Sequence, residues 1–154
     1  MNTAQIRALF PRLKQAPFYI TSEFNPFYNC IAFAAEDTGR WWWPVDYPGQ
    51  TTKAYWPAGV DKKIDLPSFI AAFATLGYVL CGDGKPERGF VKVALFADAN
   101  GIPKHAARQL PTGKWTSKLG VHEDISHILH TVEGKDYGNV VQFLKRPLPQ
   151  PSTP

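Results

Sequence analysis

The chain is poor in cysteine: only Cys30 and Cys81 occur in 154 residues. That number excludes a multi-bridge disulfide framework and leaves two free thiols as the expectation for a cytoplasmic protein. No apolar run approaches the length that crosses a bilayer, so no membrane association is expected. The opening stretch Met1–Phe10 is a short amphipathic piece stopped by Pro11, unlike a secretory leader. Signal-independent export would leave no mark on such a sequence. Basic residues never run beyond pairs such as Lys62-Lys63 and Lys145-Arg146, and the net charge is only +4. Without a basic stripe or a recognisable module, nucleic-acid binding is not expected. Internal repeats are absent as well.

The sequence does hold many aromatic residues and 14 prolines. Several of those prolines fall in residues 147–154, which read as a Pro-rich flexible tail. The remaining residues, 1–146, are enough for a single domain with its own core. Residues 1–22 suggest a helical arm and a loop. A helix beginning at Cys30 is predicted to run to about Asp37 and stop near Gly39, with Asn29 as its N-cap. A loop rich in Pro, Gly and aromatics follows as far as Val60 and carries Trp41, Trp42, Trp43 and Trp56. Asp65 then caps a helix that has Pro67 in its first turn and Leu66, Phe69, Ile70, Phe73 and Leu76 on one side.

From Tyr78 onward the apolar residues recur with period two. Strands are predicted at Tyr78–Cys81, Gly89–Ala97, around His105, and at Tyr137–Leu144. Pro111, Thr112 and Gly113 suit a three-residue hairpin loop with Gly113 in the left-handed position. This loop sets Leu110 opposite Lys114 and places His105, Ala107, Gln109, Ser117 and Leu119 on one face. Glu123-Asp124 are read as opening a short helix through His130. Helices first and an antiparallel sheet after them give an α+β expectation.

Cys30 follows a polar cap and starts a helix, where open backbone N–H groups favour a thiolate. A thiol mechanism also needs a base, an orienting group and oxyanion donors. His105, on its strand, is the preferred base, and Ser117 shares its face as the orienting residue. Gln109 and His127 are weaker choices for that role. Asn25 and the Cys30 N–H are the expected oxyanion donors. Three adjacent tryptophans cannot all enter one core, so Trp41, Trp42, Trp43 and Trp56 are assigned to a substrate wall. Against each stands an ordinary alternative: cysteines pack inertly, asparagines make turns, and tryptophans cover sheets. His127 and His130 are three residues apart but lack further ligands of metal type, so no metal site is expected.

Several segments together resemble a family of uncharacterised bacterial proteins, a domain of unknown function. They include Tyr28–Ala32, Arg40–Pro44, Tyr55-Trp56-Pro57, His105–Leu110, Trp115–Gly120, Glu123-Asp124-Ile125 and Tyr137-Gly138. A more distant resemblance runs to papain-like cysteine peptidases and NlpC/P60-type hydrolases. Asn29–Ala34 is similar to the papain nucleophile motif, and Ser117–Gly120 to the segment carrying the papain orienting residue. That resemblance implies a papain-like α+β domain with an N-terminal nucleophile helix packed on an antiparallel sheet. It also implies a cofactor-free Cys–His hydrolase or acyl-transfer enzyme acting on an amide or peptide bond of a peptide or protein substrate. The alternatives are a non-catalytic papain-like module that binds protein through the Trp-rich loop, and a secreted effector or toxin. The sequence departs from the papain pattern in lacking the oxyanion Gln and in having Ser where Asn orients the imidazole.

Overall fold

The computed structural model describes residues 1–46 and 53–149. Helices α1 (Thr3–Leu9), α2 (Cys30–Ala34) and α3 (Leu66–Ala74) are short. Seven strands carry the architecture: β1 (Tyr19–Ile20), β2 (Val79–Cys81), β3 (Phe90–Ala97), β4 (Pro103–Gln109), β5 (Trp115–Lys118), β6 (Asp124–His127) and β7 (Asn139–Pro147). They form one sheet in the order β1-β6-β5-β4-β3-β7-β2, and every neighbouring pair is antiparallel. Two 3₁₀ turns, Pro11–Lys14 and Leu129–Val132, complete the regular structure of the described residues.

Alternation along the central strands gives the sheet two buried faces. Val93, Leu95, Ala106 and Leu144 pack against α2, α3, Trp42 and Trp56. Ala94, Phe96, Ala107, Trp115 and Ile125 pack against Ile6, Phe10 and Leu13 of the N-terminal arm. The long β3 is covered on both sides, which explains its unbroken apolar run.

The papain-like α+β expectation is overturned. The protein is a predominantly antiparallel-sheet fold with small helical pieces, not a nucleophile helix forming one half of an α+β domain. The reason is local. Helix α2 ends after five residues in a Schellman motif, with Glu36 N–H donating to Phe33 O at 3.0 Å and Asp37 N–H to Ala32 O at 2.9 Å. Glu36 takes the left-handed position at φ 62° in place of the usual glycine. Its carboxylate is held there by Arg146 at 2.6 Å and Arg108 at 3.6 Å. The helix expected to extend to about Asp37 is therefore a little over one turn.

A second correction concerns the segment after Leu119. The expected helix from Glu123 through His130 is instead strand β6 followed by a 3₁₀ turn. Ile125 and His127 alternate into the interior on the side of the N-terminal arm while Ser126 is half-buried, a period of two that outweighs the acidic opening. The hairpin agrees with its reading: Leu110 N–H donates to Lys114 O at 2.7 Å, Gly113 has φ 88°, and Gln109 faces Trp115. Asn29 and Asp65 cap α2 and α3 as expected.

Candidate functional site

Strands β4 and β5 pair only at Arg108–Thr116 and Gln109–Trp115 and then separate. The N-terminus of α2 enters where they part, and α2 touches both strands. Backbone N–H groups on one edge of a strand recur every second residue. Leu110 N–H points at β5, so Ala106 N–H points the same way, past the end of the ladder. There it is turned toward the Cys30 sulfur and favours negative charge on it, where a strand carbonyl would otherwise lie. The Cys30 and Ile31 amides at the helix start also face the sulfur.

These donors do not make the resting thiol acidic. Burial pushes the Cys30 thiol up to about 11, outweighing the N–H groups of Ala106, Ile31 and Cys30 and the charge of Lys118. A helix start alone was expected to favour the thiolate. In a helix of five residues that contribution is small, and desolvation wins.

His105 lies on the other face of β4, 1% exposed. Its Nε2 and the Ser117 hydroxyl are 2.9 Å apart, and Ser117 Oγ is 2.7 Å from His127 Nε2. His127 Nδ1 is 2.8 Å from the Ile128 carbonyl. Burial lowers the pKa of both histidines: His127 to about 4 and His105 well below 6.5, helped by the neighbouring His127. Both rings are therefore neutral at pH 7. The proton positions then follow from the donor and acceptor inventory. The Ile128 carbonyl only accepts, so His127 carries its proton on Nδ1 and offers a lone pair at Nε2. Ser117 donates to that lone pair and accepts from His105 Nε2–H. His105 Nδ1 is left as a bare lone pair, buried and without a hydrogen-bond partner among the described residues.

Cys30 opens into a cleft of about 180 Å³ lined by Asn29, Trp41, Trp43, Lys104, Gly120 and Tyr137. Lys118 lies beneath the Gly120 turn. Its ammonium donates to the carbonyls of Gly120 (3.1 Å) and His122, and burial lowers its pKa. Tyr28, the residue before the cap, donates to Asp124 Oδ2 at 3.0 Å and fixes the entry to α2 against β6. Other clefts are larger, including one of 450 Å³ beside Tyr55 and Lys62, but none of the larger ones contains a cysteine.

The residues singled out by sequence thus divide. His105 and Ser117 are hydrogen-bonded, and Cys30 meets the peptide that links His105 to Ala106. Cys30 and His105 are not hydrogen-bonded to each other. Trp41 and Trp43 line the cleft, whereas Trp42 and Trp56 are core residues whose indoles donate to Asp37 (2.8 Å) and the Asp61 carbonyl (3.0 Å). Asn25 stands in a turn of its own, accepting from Phe27 N–H at 2.9 Å, and does not line the cleft. Gln109 donates to Gly84 O at 2.7 Å, away from His105. His130 is on the surface beside Glu133, so it shares no ligand with His127. The sequence offered His127 only as a weaker orienting choice, whereas it anchors the network through Ser117, and it gave no sign of Tyr137 as a cleft residue. The alternation of Ile125 and His127 could have revealed the first.

An antiparallel sheet with a thiol at its parting strands and a buried His–Ser–His chain behind defines the kind of protein this is. Residues 19–145, spanning β1 into β7, match the family described as a domain of unknown function (DUF7689), and the chain belongs to that family. No curated protein and no solved structure matches the chain.

Proposed function

We propose that the protein is a thiol-dependent hydrolase or acyl-transfer enzyme that acts on an amide or peptide bond at Cys30. The observation that carries this reading is the bare, buried Nδ1 lone pair of His105, on the strand whose next residue, Ala106, turns its N–H toward the Cys30 sulfur. A buried acceptor without a partner is costly and calls for a role.

In the proposed reaction the Cys30 thiol gives its proton to His105 Nδ1 as the sulfur attacks the carbonyl carbon, whose π pair becomes the oxyanion. The tetrahedral intermediate collapses, the C–N bond breaks, and the leaving amine takes the proton from Nδ1. Water then attacks the thioester, with His105 receiving and returning the proton, and the thiol is regenerated. Ser117 and His127 hold the imidazole so that Nδ1, not Nε2, does this work. Among the described residues no carboxylate is bonded to the imidazole, so the resting pair is neutral and the proton moves only with the attack. Trp41 and Trp43 wall a space suited to one side chain or a small acyl group of a peptide or protein substrate. The neutral, desolvated thiol favours one other reading, a cleft that binds an aromatic or aliphatic peptide side chain without turnover.

Incubation of the full chain with p-nitrophenyl acetate, read by intact mass and peptide mapping, distinguishes the two. Enzyme chemistry gives an acyl group on Cys30, none in Cys30→Ala, and acylation slower by about 100-fold in His105→Ala. Acylation scattered over lysines, or indifferent to both substitutions, favours binding alone.

A further inference from the structure

Tyr137 lies outside the constellation above, yet it touches both of its halves. Its ring stacks on the His105 imidazole with centroids 3.9 Å apart and planes 5° from parallel. Phe10 lies against the same ring at 5.1 Å. Tyr137 also lines the cleft beside Cys30, near enough that a charge on that sulfur would raise its pKa further, after burial.

Its position is fixed by the backbone. Gly134 and Gly138 exchange two hydrogen bonds, of 3.0 and 2.8 Å, and close the loop that presents Tyr137. Gly138 has φ 68°, and a Cβ there would stand 2.0 Å from the Ala97 carbonyl oxygen. Only glycine allows the loop to press so closely on β3. A rigid loop holding one aromatic residue against the proposed base is a precise mount for a polar tip.

None of the described residues is hydrogen-bonded to the Tyr137 hydroxyl, and the half-buried residue leaves that hydroxyl open to meet a group in the cleft. The amide side chains that could stabilise an oxyanion are occupied. Asn29 Nδ2 donates to Trp42 O at 2.7 Å, and Asn25 is in its own turn. The backbone N–H groups of Ala106, Ile31 and Cys30 are turned toward the sulfur itself.

We propose that Tyr137 is a catalytic residue whose hydroxyl donates to the carbonyl oxygen as it becomes an oxyanion during acyl transfer at Cys30. The inference rests on the thiol reading above and adds a hydroxyl donor alongside the unpaired Trp41 Nε1–H that lines the same cleft. The phenol keeps its proton throughout: it stabilises charge and transfers nothing.

Two reactions at the same sulfur test it. Acylation by p-nitrophenyl acetate passes through an oxyanion, whereas alkylation by iodoacetamide displaces iodide and develops none. Tyr137→Phe keeps the ring on His105 and removes only the hydroxyl. Acylation of Cys30 should fall by about 100-fold, while alkylation changes by less than about threefold. Tyr137→Leu, which also removes the stack, should slow both. If Tyr137→Phe slows both reactions equally or neither, the hydroxyl has no oxyanion role and the inference is overturned. If the wild-type protein is not acylated at Cys30, the thiol reading falls and this inference with it.

Discussion

At the scale of single residues, the decisive feature is a proton position. His105 is tied at Nε2 to Ser117, and Ser117 to His127, whose other nitrogen meets a backbone carbonyl. Each link forces the next, so the tautomer of His105 is set two side chains away. Nitrogen NMR on histidine-labelled protein should find His105 as the neutral Nε2–H form at neutral pH and still so well below the ordinary imidazole range. A proton on Nδ1, or ionisation near the ordinary imidazole value, contradicts the chain. The pairing of His105 with Ser117 was legible beforehand, because Gly113 fixes the hairpin loop and the loop fixes which residues share a face. His127 was read only as a weaker choice and placed on a helix, since acidic residues before Ile125 mimic a helix opening while strand pairing decides the outcome. The acidity of Cys30 was misjudged for a related reason: sequence shows the helix start but not the burial that opposes it.

At the scale of elements, the short α2 is held by its cap more than by its length. Asn29 accepts from Ala32 N–H and Trp42 N–H, both at 3.1 Å, and donates to Trp42 O at 2.7 Å. One buried amide thus joins the nucleophile turn to the tryptophan segment that walls the cleft. Asn29→Ala removes three hydrogen bonds from a 3%-exposed position and should cost about 3 kcal/mol. Thermal unfolding should then occur roughly 5–10 °C lower, and an unchanged midpoint would mean that the cap is not what holds α2. The cap was readable in the sequence, as were α3 and the strands after Tyr78 other than β6. The early stop of α2 was not, because it depends on Glu36 adopting a conformation that Arg108 and Arg146 sustain from distant strands. The tryptophans divided for a similar reason. Trp42 is drawn inward by Asp37 and Trp56 by the Asp61 carbonyl, partners that reveal themselves only when the loop is folded.

At the scale of the whole molecule, the sheet is sealed on both faces, and the N-terminal arm lies on the side that holds His105. Two neutral histidines sit in that side, both essentially without solvent contact. Their folded pKa values lie below the unfolded value, so the unfolded chain binds more protons as pH falls. Stability is therefore intact above about pH 6.5 and declines below it. His127, near 4 when folded, alone accounts for roughly 3 kcal/mol lost by the time pH reaches about 4. Urea titrations at pH 7 and pH 4.5 should show this loss, and His127→Gln should flatten it. A wild-type protein equally stable at both values would show that the buried histidines do not resist protonation.

The proposed proton transfer from the Cys30 thiol to His105 Nδ1 is tested most directly by the pH dependence of iodoacetamide alkylation in wild type and His105→Ala. With an unassisted thiol ionising near 11, the wild type should react at least about tenfold faster than the variant around pH 7.5, and the two should converge as pH approaches that value. Superimposable profiles across the whole range would contradict any role for His105 as the base.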